Sequence, residues 1–149
     1  MFIAALLGLA VVATVIHETG HVLAAFVVGQ PVKSIDLLDD VVLQGTPSPL
    51  QAAVINYSGG LFSAFVLGTA YVALSRRANE DTLFWLGIPL LFYSVFEAGN
   101  GLIEGLAKVQ YIEMKLFFPG LEYVVVAGLV MIGFAVSLGA YYLRVRSLG

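Results

Sequence analysis

Four long apolar runs, separated by short polar stretches, dominate the pattern of the chain. They cover roughly residues 2–28, 50–74, 83–107 and 121–143. A helix that crosses a bilayer needs about 20 mostly apolar residues, so each run is long enough for one crossing. The pattern predicts an all-α membrane protein with about four transmembrane helices.

The segment between the first two runs has a different pattern. Its sequence, GQPVKSIDLLDDVVLQGTPSP, has helix-breaking residues at both ends and two β-rich pieces, residues 32–38 and 41–44, on either side of Asp39 and Asp40. These features predict a short β-hairpin at the membrane surface. An irregular acidic loop is the alternative.

Composition supports the membrane interpretation. Of the 149 residues, 60% are hydrophobic and only 11% are charged, and the mean hydropathy of +0.95 lies outside the range of soluble domains. The first run lacks a basic start and a small-residue cleavage site, so we expect it to remain as a span rather than act as a signal peptide.

Cysteine and charge exclude some classes of function. The chain has no cysteine, which excludes disulfides and thiolate metal sites, and its net charge of −3 argues against a nucleic-acid partner. With four spans, four arginines lie on the side of the N-terminus and three lysines on the other side. By this margin of one charge, the count favours a cytoplasmic N-terminus.

The first run contains the two histidines of the chain, in the sequence HETGH. His17 and His21 are four residues apart, so on an α-helix they lie on one face, about 6 Å apart along the axis. Two imidazoles in this arrangement can bind one metal ion, and Glu18 can reach a metal-bound water, as the H-E-x-x-H pattern of zinc hydrolases requires. Each ionisable group in a span costs at least about 2.5 kcal/mol, which metal coordination compensates. The sequence therefore favours one Zn²⁺ ion over a chance match.

The sequence does not decide which residue is the third ligand of the metal site. A catalytic zinc usually has three protein ligands, and without a third histidine the next ligand must be a carboxylate. Glu97 and Glu104 in the third run are the candidates, and their separation of roughly 10 Å along a helix means that both can hardly bind one ion. Asn56 and Asn100 are candidates for binding substrate backbone or an oxyanion, with interhelical hydrogen bonding as the alternative.

The order of these motifs resembles that of the site-2 protease family of intramembrane zinc metalloproteases, over about residues 10–106. HETGHVLAAFVVGQPVKSIDL is similar to the family's run from the zinc motif into the hairpin, PSPLQAAVINYSGGLFSAFVLG to its second core span, and LIEG takes the place of its LDG. The resemblance implies Glu104 as the third ligand, with Glu where the family usually has Asp, and Glu18 as the catalytic base. It also implies a cytoplasmic hairpin and an outside N-terminus, against the charge count.

The resulting hypothesis is a zinc metalloendopeptidase that cleaves a peptide bond within or next to a substrate's transmembrane helix. We expect one membrane-embedded domain over residues 1–149, with a catalytic core at about 2–107 and an extra C-terminal span at about 121–143. The expected partners are the lipid bilayer and a transmembrane protein substrate, and the expected location is the cell membrane of a prokaryote.

Two other functions remain open. One is a non-catalytic membrane protein of the same fold that binds metal or substrate. The other is a proton or ion relay through the histidines and glutamates, which predicts no tightly bound metal.

Overall fold

The computed structural model describes residues 2–36, 41–117 and 121–147, and the side chains of these residues except 107–117 and 121–123. In chain order the elements are α1 (Phe2–Val27), β1 (Val32–Ile35), β2 (Val41–Leu43), α2 (Pro49–Ser75), α3 (Glu80–Thr82), a π-helical turn (Leu83–Gly87), α4 (Ile88–Phe117) and α5 (Leu121–Arg146). Within these residues, four helical segments are long and apolar enough to cross a membrane. The predicted all-α membrane fold, with a hairpin between the first two long helices, is confirmed.

Helix α2 lies between α1 and α4, and glycines bring the three backbones together. A Cβ atom on Gly20 of α1 would lie 2.7 Å from the carbonyl oxygen of Ser58 on α2, and one on Gly60 would fall against the backbone of Gly101 on α4. Small residues at such positions are what lets transmembrane helices approach closely.

Helix α5 packs on the outer side of α4. A Cβ atom on Gly99 would fall against Leu129, and one on Gly133 would lie 2.9 Å from the ring of Phe92. At the end of α5, Arg144 Nε donates to the carbonyl oxygen of Ser75 at the end of α2 (3.1 Å). A cation there also offsets the partial negative charge of the helix C-terminus.

The outer surface of the bundle is strongly apolar. Phe26, Phe65 and Met131 are 83%, 72% and 72% exposed, and other large hydrophobic side chains are exposed along all four long helices. Continuous apolar surface of this kind is a liability in water but is covered by acyl chains in a bilayer. The protein is therefore a multi-pass membrane protein.

Hydrogen bonds join the end of α1 to the start of α2. Helix α1 ends at Val27 and is followed by Gly29, which has a φ of 70°, a conformation that glycine adopts readily. Helix α2 begins with a capping box between Ser48 and Gln51, and Gln51 Nε2 also donates to the carbonyl oxygen of Val28 (2.9 Å). One side chain thus caps the second helix and holds the end of the first.

Strands β1 and β2 form an antiparallel hairpin between these helix ends, with an irregular register between Val32 and Ser34. The strands are shorter than the predicted pieces, and the predicted turn at Asp39 and Asp40 lies outside the described residues. Val32 and Leu43 pack on a buried cluster of Ala24, Ala25 and Ile55 from α1 and α2, while most of β1 is exposed.

The third span begins with a wide helical turn that the sequence pattern does not predict. The backbone N–H of Ile88 bonds to the carbonyl oxygen of Leu83, five residues back, and Pro89 follows. Proline has no N–H and its ring collides with the carbonyl four residues before it, so a wider turn lets the helix continue through Pro89.

Candidate metal centre

Helix α1 presents both histidines to the helices packed against it. His17 is buried, and the rings of His17 and His21 have centroids 4.8 Å apart and planes inclined by 70°. The four-residue spacing therefore puts the two imidazoles side by side on one face, as the sequence predicts.

Each imidazole is held at Nδ1 by a different helix. His17 Nδ1 lies 2.6 Å from Glu97 Oε2 on α4, and His21 Nδ1 lies 2.7 Å from the carbonyl oxygen of Ile55 on α2. A carbonyl oxygen can only accept, so His21 Nδ1 carries the hydrogen and its Nε2 is left with a lone pair.

Glu104 lies at the opposite nitrogen of both rings. Its Oε2 atom is 3.1 Å from His17 Nε2 and 3.6 Å from His21 Nε2, and one possible ligand atom from each of the three residues lies within 4.8 Å of the others. Tetrahedral ligands of a zinc ion at normal bond lengths are about 3.3 Å apart. The two nitrogens and one carboxylate oxygen thus fit a His₂Glu zinc site, the donor set found in catalytic zinc hydrolases.

Gly59 of α2 leaves the space that this arrangement needs. A Cβ atom there would lie 2.7 Å from His17 Nε2 and would fall against the ring of His21. This role of Gly59 could not be predicted, because nothing in the sequence of a GG pair indicates that the neighbour is an imidazole.

The remaining acidic candidates lie around this group without joining it. Glu97 is buried and contacts His17 at the nitrogen that faces away from Glu104. Glu18 is also buried and follows His17 directly on α1. The structure thus brings His17, His21 and Glu104 together and puts the alternative ligand Glu97 behind one of the histidines.

The two asparagines lie in different surroundings. Asn100 Nδ2 donates to Glu104 Oε1 (3.1 Å), the oxygen that does not face the histidines. Asn56 is buried on α2, one turn before Gly59. Contact of either amide with a substrate stays a prediction, and Asn100 has in addition the role of orienting Glu104.

A family model of Peptidase M50B-like proteins matches residues 3–144. The chain belongs to the Peptidase M50B-like family. This confirms the resemblance to site-2 proteases, and the match extends past residue 106 to include most of α5. Neither a curated protein nor a solved structure matches the chain.

Membership in the Peptidase M50B-like family agrees with the chemistry of the donor set. The family is of the zinc metalloprotease type, and the His₂Glu group could hold a metal ion. Sequence reasoning missed the carbonyl oxygen of Ile55, since a backbone acceptor carries no residue-type signal. It considered Glu97 as a ligand or as part of a relay, but not as a hydrogen-bond partner of His17.

Proposed function

We propose that this Peptidase M50B-like protein is an intramembrane zinc metalloprotease that cleaves a peptide bond within or next to a transmembrane helix of its substrate. The observation that carries the proposal is that Glu104 Oε2 lies 3.1 Å from His17 Nε2 and 3.6 Å from His21 Nε2, with one possible ligand atom of each residue within 4.8 Å of the others. These residues belong to helices long and apolar enough to cross a membrane. We place the activity in the cell membrane of a prokaryote as part of the same proposal.

His17, His21 and Glu104 would hold the metal, and Asn100 would keep Glu104 turned towards the histidines. A bound zinc ion lowers the pKa of a coordinated water towards about 7 and polarises the scissile carbonyl group. Glu18, adjacent to His17, accepts the proton of the attacking water and delivers it to the leaving amine. Asn56 and Asn100 are the candidates for hydrogen bonds to substrate backbone.

The contacts of Glu97 favour Glu104 as the third ligand. Glu97 Oε2 is already 2.6 Å from His17 Nδ1, and it lies two helical turns from Glu104. For Glu97 to be a ligand beside His17, the ring would have to turn over and give up its contact with Glu104.

The substrate must be partly unwound to react, because the carbonyl groups of an intact helix are hydrogen-bonded within it. Strand β1 is largely exposed and pairs with β2 along one edge. An extended substrate segment can add to the other edge as a further strand, with main-chain hydrogen bonds to β1.

The test combines zinc content with cleavage of a single-span model substrate by the full chain in lipid vesicles. We expect one zinc ion per chain and cleavage in the wild type, and loss of zinc in Glu104→Ala. Glu18→Gln should keep zinc and cleave at least about 10²-fold more slowly, the scale of a lost general base. Glu80→Gln, at an exposed glutamate on α3, is the matched control and should behave as wild type.

Three results would contradict the proposal in different ways. A wild type without zinc would leave the proton or ion relay as the better hypothesis. Zinc without cleavage would indicate a non-catalytic member that binds metal or substrate. Undiminished cleavage by Glu18→Gln would remove Glu18 from the role of base.

A further inference from the structure

Glu97 is a buried acidic residue that the proposed ligand set does not use. It is 7% exposed on a helix that crosses the bundle, where an ionisable side chain is costly. In the described part of the chain, its ion pair is with His17, at 2.6 Å. Over the same described residues, the position of this carboxylate is therefore explained by its contact with His17 rather than with a lysine or arginine.

The contact between Glu97 and His17 is short and directional. A separation of 2.6 Å lies at the lower limit for a hydrogen bond from a ring nitrogen to a carboxylate. Such a bond keeps a hydrogen on Nδ1 and fixes the plane of the ring. His17 Nε2 is then left as the metal-binding atom, on the side where Glu104 lies 3.1 Å away.

The two histidines differ in what holds them. His21 is held by the neutral carbonyl group of Ile55, whereas His17 is held by a carboxylate. A carboxylate behind an imidazole makes the ring a stronger donor to a metal, and removal of such a partner typically costs about 10–100-fold in metal affinity.

We propose that Glu97 is the positioning residue of the metal centre. It holds His17 through Nδ1 so that Nε2 binds the metal, and it is not itself a ligand. This inference rests on the proposed zinc site and assigns to Glu97 a role different from that of the third ligand, for which the sequence made it a candidate.

The experiment measures Zn²⁺ affinity by chelator competition, and the absorption spectrum of the Co²⁺-loaded protein, for the full chain in detergent. Glu97→Ala should bind Zn²⁺ about 10–100-fold more weakly than wild type while its cobalt spectrum stays tetrahedral, since all three ligands remain. Glu97→Gln should recover part of the affinity, because its amide oxygen can still accept from His17 Nδ1. Glu104→Ala should lose more affinity and change the spectrum.

Ser94→Ala is the matched control. Ser94 is on the same helix, and its hydroxyl donates to the carbonyl oxygen of Ala64 on α2, so its loss removes an interhelical hydrogen bond away from the metal. This variant should lose thermal stability without losing metal affinity. If Glu97→Ala does not fold, Glu97→Gln gives the same test with a side chain of equal size.

Two results would overturn the role of Glu97. One is a Zn²⁺ affinity unchanged from wild type in both Glu97 variants. The other is a changed cobalt spectrum in Glu97→Ala together with an unchanged one in Glu104→Ala, which would make Glu97 the ligand. A wild type that binds neither metal would instead overturn the proposed function.

Discussion

At the scale of single residues, one imidazole accounts for both glutamates of the third span. His17 lies between Glu97 at Nδ1 and Glu104 at Nε2. The two carboxylates are two turns apart on α4, so they lie on nearly the same face of the helix and can converge on one ring from either side. The two glutamates therefore contact opposite nitrogens of the ring, which allows each a different role.

Gly59 provides a test at this scale. In Gly59→Ala, the added Cβ would lie 2.7 Å from His17 Nε2, which is closer than real Cβ contacts. The rings must then shift, and we expect Zn²⁺ affinity in chelator competition to fall by about tenfold or more, the scale seen when the supports of ligands are disturbed. Helix propensity itself favours alanine over glycine by about 1 kcal/mol, so the fold should be retained.

Gly8→Ala is the control for this prediction, because nothing lies within 4 Å of a Cβ atom at Gly8 on α1. It should bind Zn²⁺ as wild type does. Equal affinities of the Gly59 and Gly8 variants would mean that α2 does not confine the imidazoles.

The sequence predicts those parts of the site whose residues lie close together on one helix. His17 and His21 share a face because four residues make nearly one helical turn. The choice between Glu97 and Glu104 was not local, since it depends on how α4 crosses α1. The spacing of seven residues shows that the two glutamates cannot both be ligands, but it does not say which nitrogen of His17 each one meets.

At the scale of elements, α2 is the helix on which the bundle depends. It touches α1 through Gly20 and α4 through Gly60 and Gly101, at backbone-to-backbone distance. These contacts place the side chains of the candidate metal site on α1 and α4 within reach of one another. The close crossing is therefore a condition for the site as well as for the fold.

The variant Gly60→Val tests this crossing. Its side chain would fall on the backbone of Glu97 and Gly101, which cannot move aside as a flexible side chain can. We expect a loss of about 1–3 kcal/mol in the free energy of unfolding, typical of overpacking, and a lower midpoint in thermal unfolding.

Gly139→Val on α5 carries the same change in helix propensity at a position with nothing within 4 Å of the new Cβ atom. It should unfold close to wild type, so the difference between the two variants isolates the packing effect. If the two variants unfold at the same temperature, α2 and α4 do not depend on this contact.

Element boundaries follow from the sequence to different degrees. The first two spans end within a residue or two of their predicted limits, because the length of an apolar run and its flanking breakers are local signals. The third helix continues to Phe117, past the predicted end at 107, and begins with the π-helical turn before Pro89. Proline in the sequence indicates a disturbed helix, but whether the helix kinks, ends or continues through a wider turn depends on the packing around it.

At the scale of the whole molecule, the apolar surface is larger than the apolar core. Leu67 is among the few large side chains that are almost fully buried, at 2% exposed, whereas Phe65 on the same helix is 72% exposed. In a bilayer the outer side chains contact lipid tails, which are as apolar as a protein interior, so these side chains gain little from contact with protein. Stability should therefore depend on the inner residues far more than on the larger outer ones.

Leu67→Ala and Phe65→Ala compare these two surfaces. Leu67 packs with Ala13 and Leu90, and its truncation leaves a cavity, so we expect a loss of at least about 2 kcal/mol in the free energy of unfolding in lipid nanodiscs. Phe65→Ala should cost much less despite the larger side chain. A greater loss for Phe65→Ala would mean that this face is covered by protein, as in an oligomer.

Ile55 belongs to the cluster on which the hairpin residues Val32 and Leu43 pack, and its carbonyl oxygen holds His21. The same residue therefore supports the hairpin through its packing and orients an imidazole through its carbonyl oxygen. A displacement of Ile55 would therefore alter both the packing of the hairpin and the hydrogen bond that orients His21.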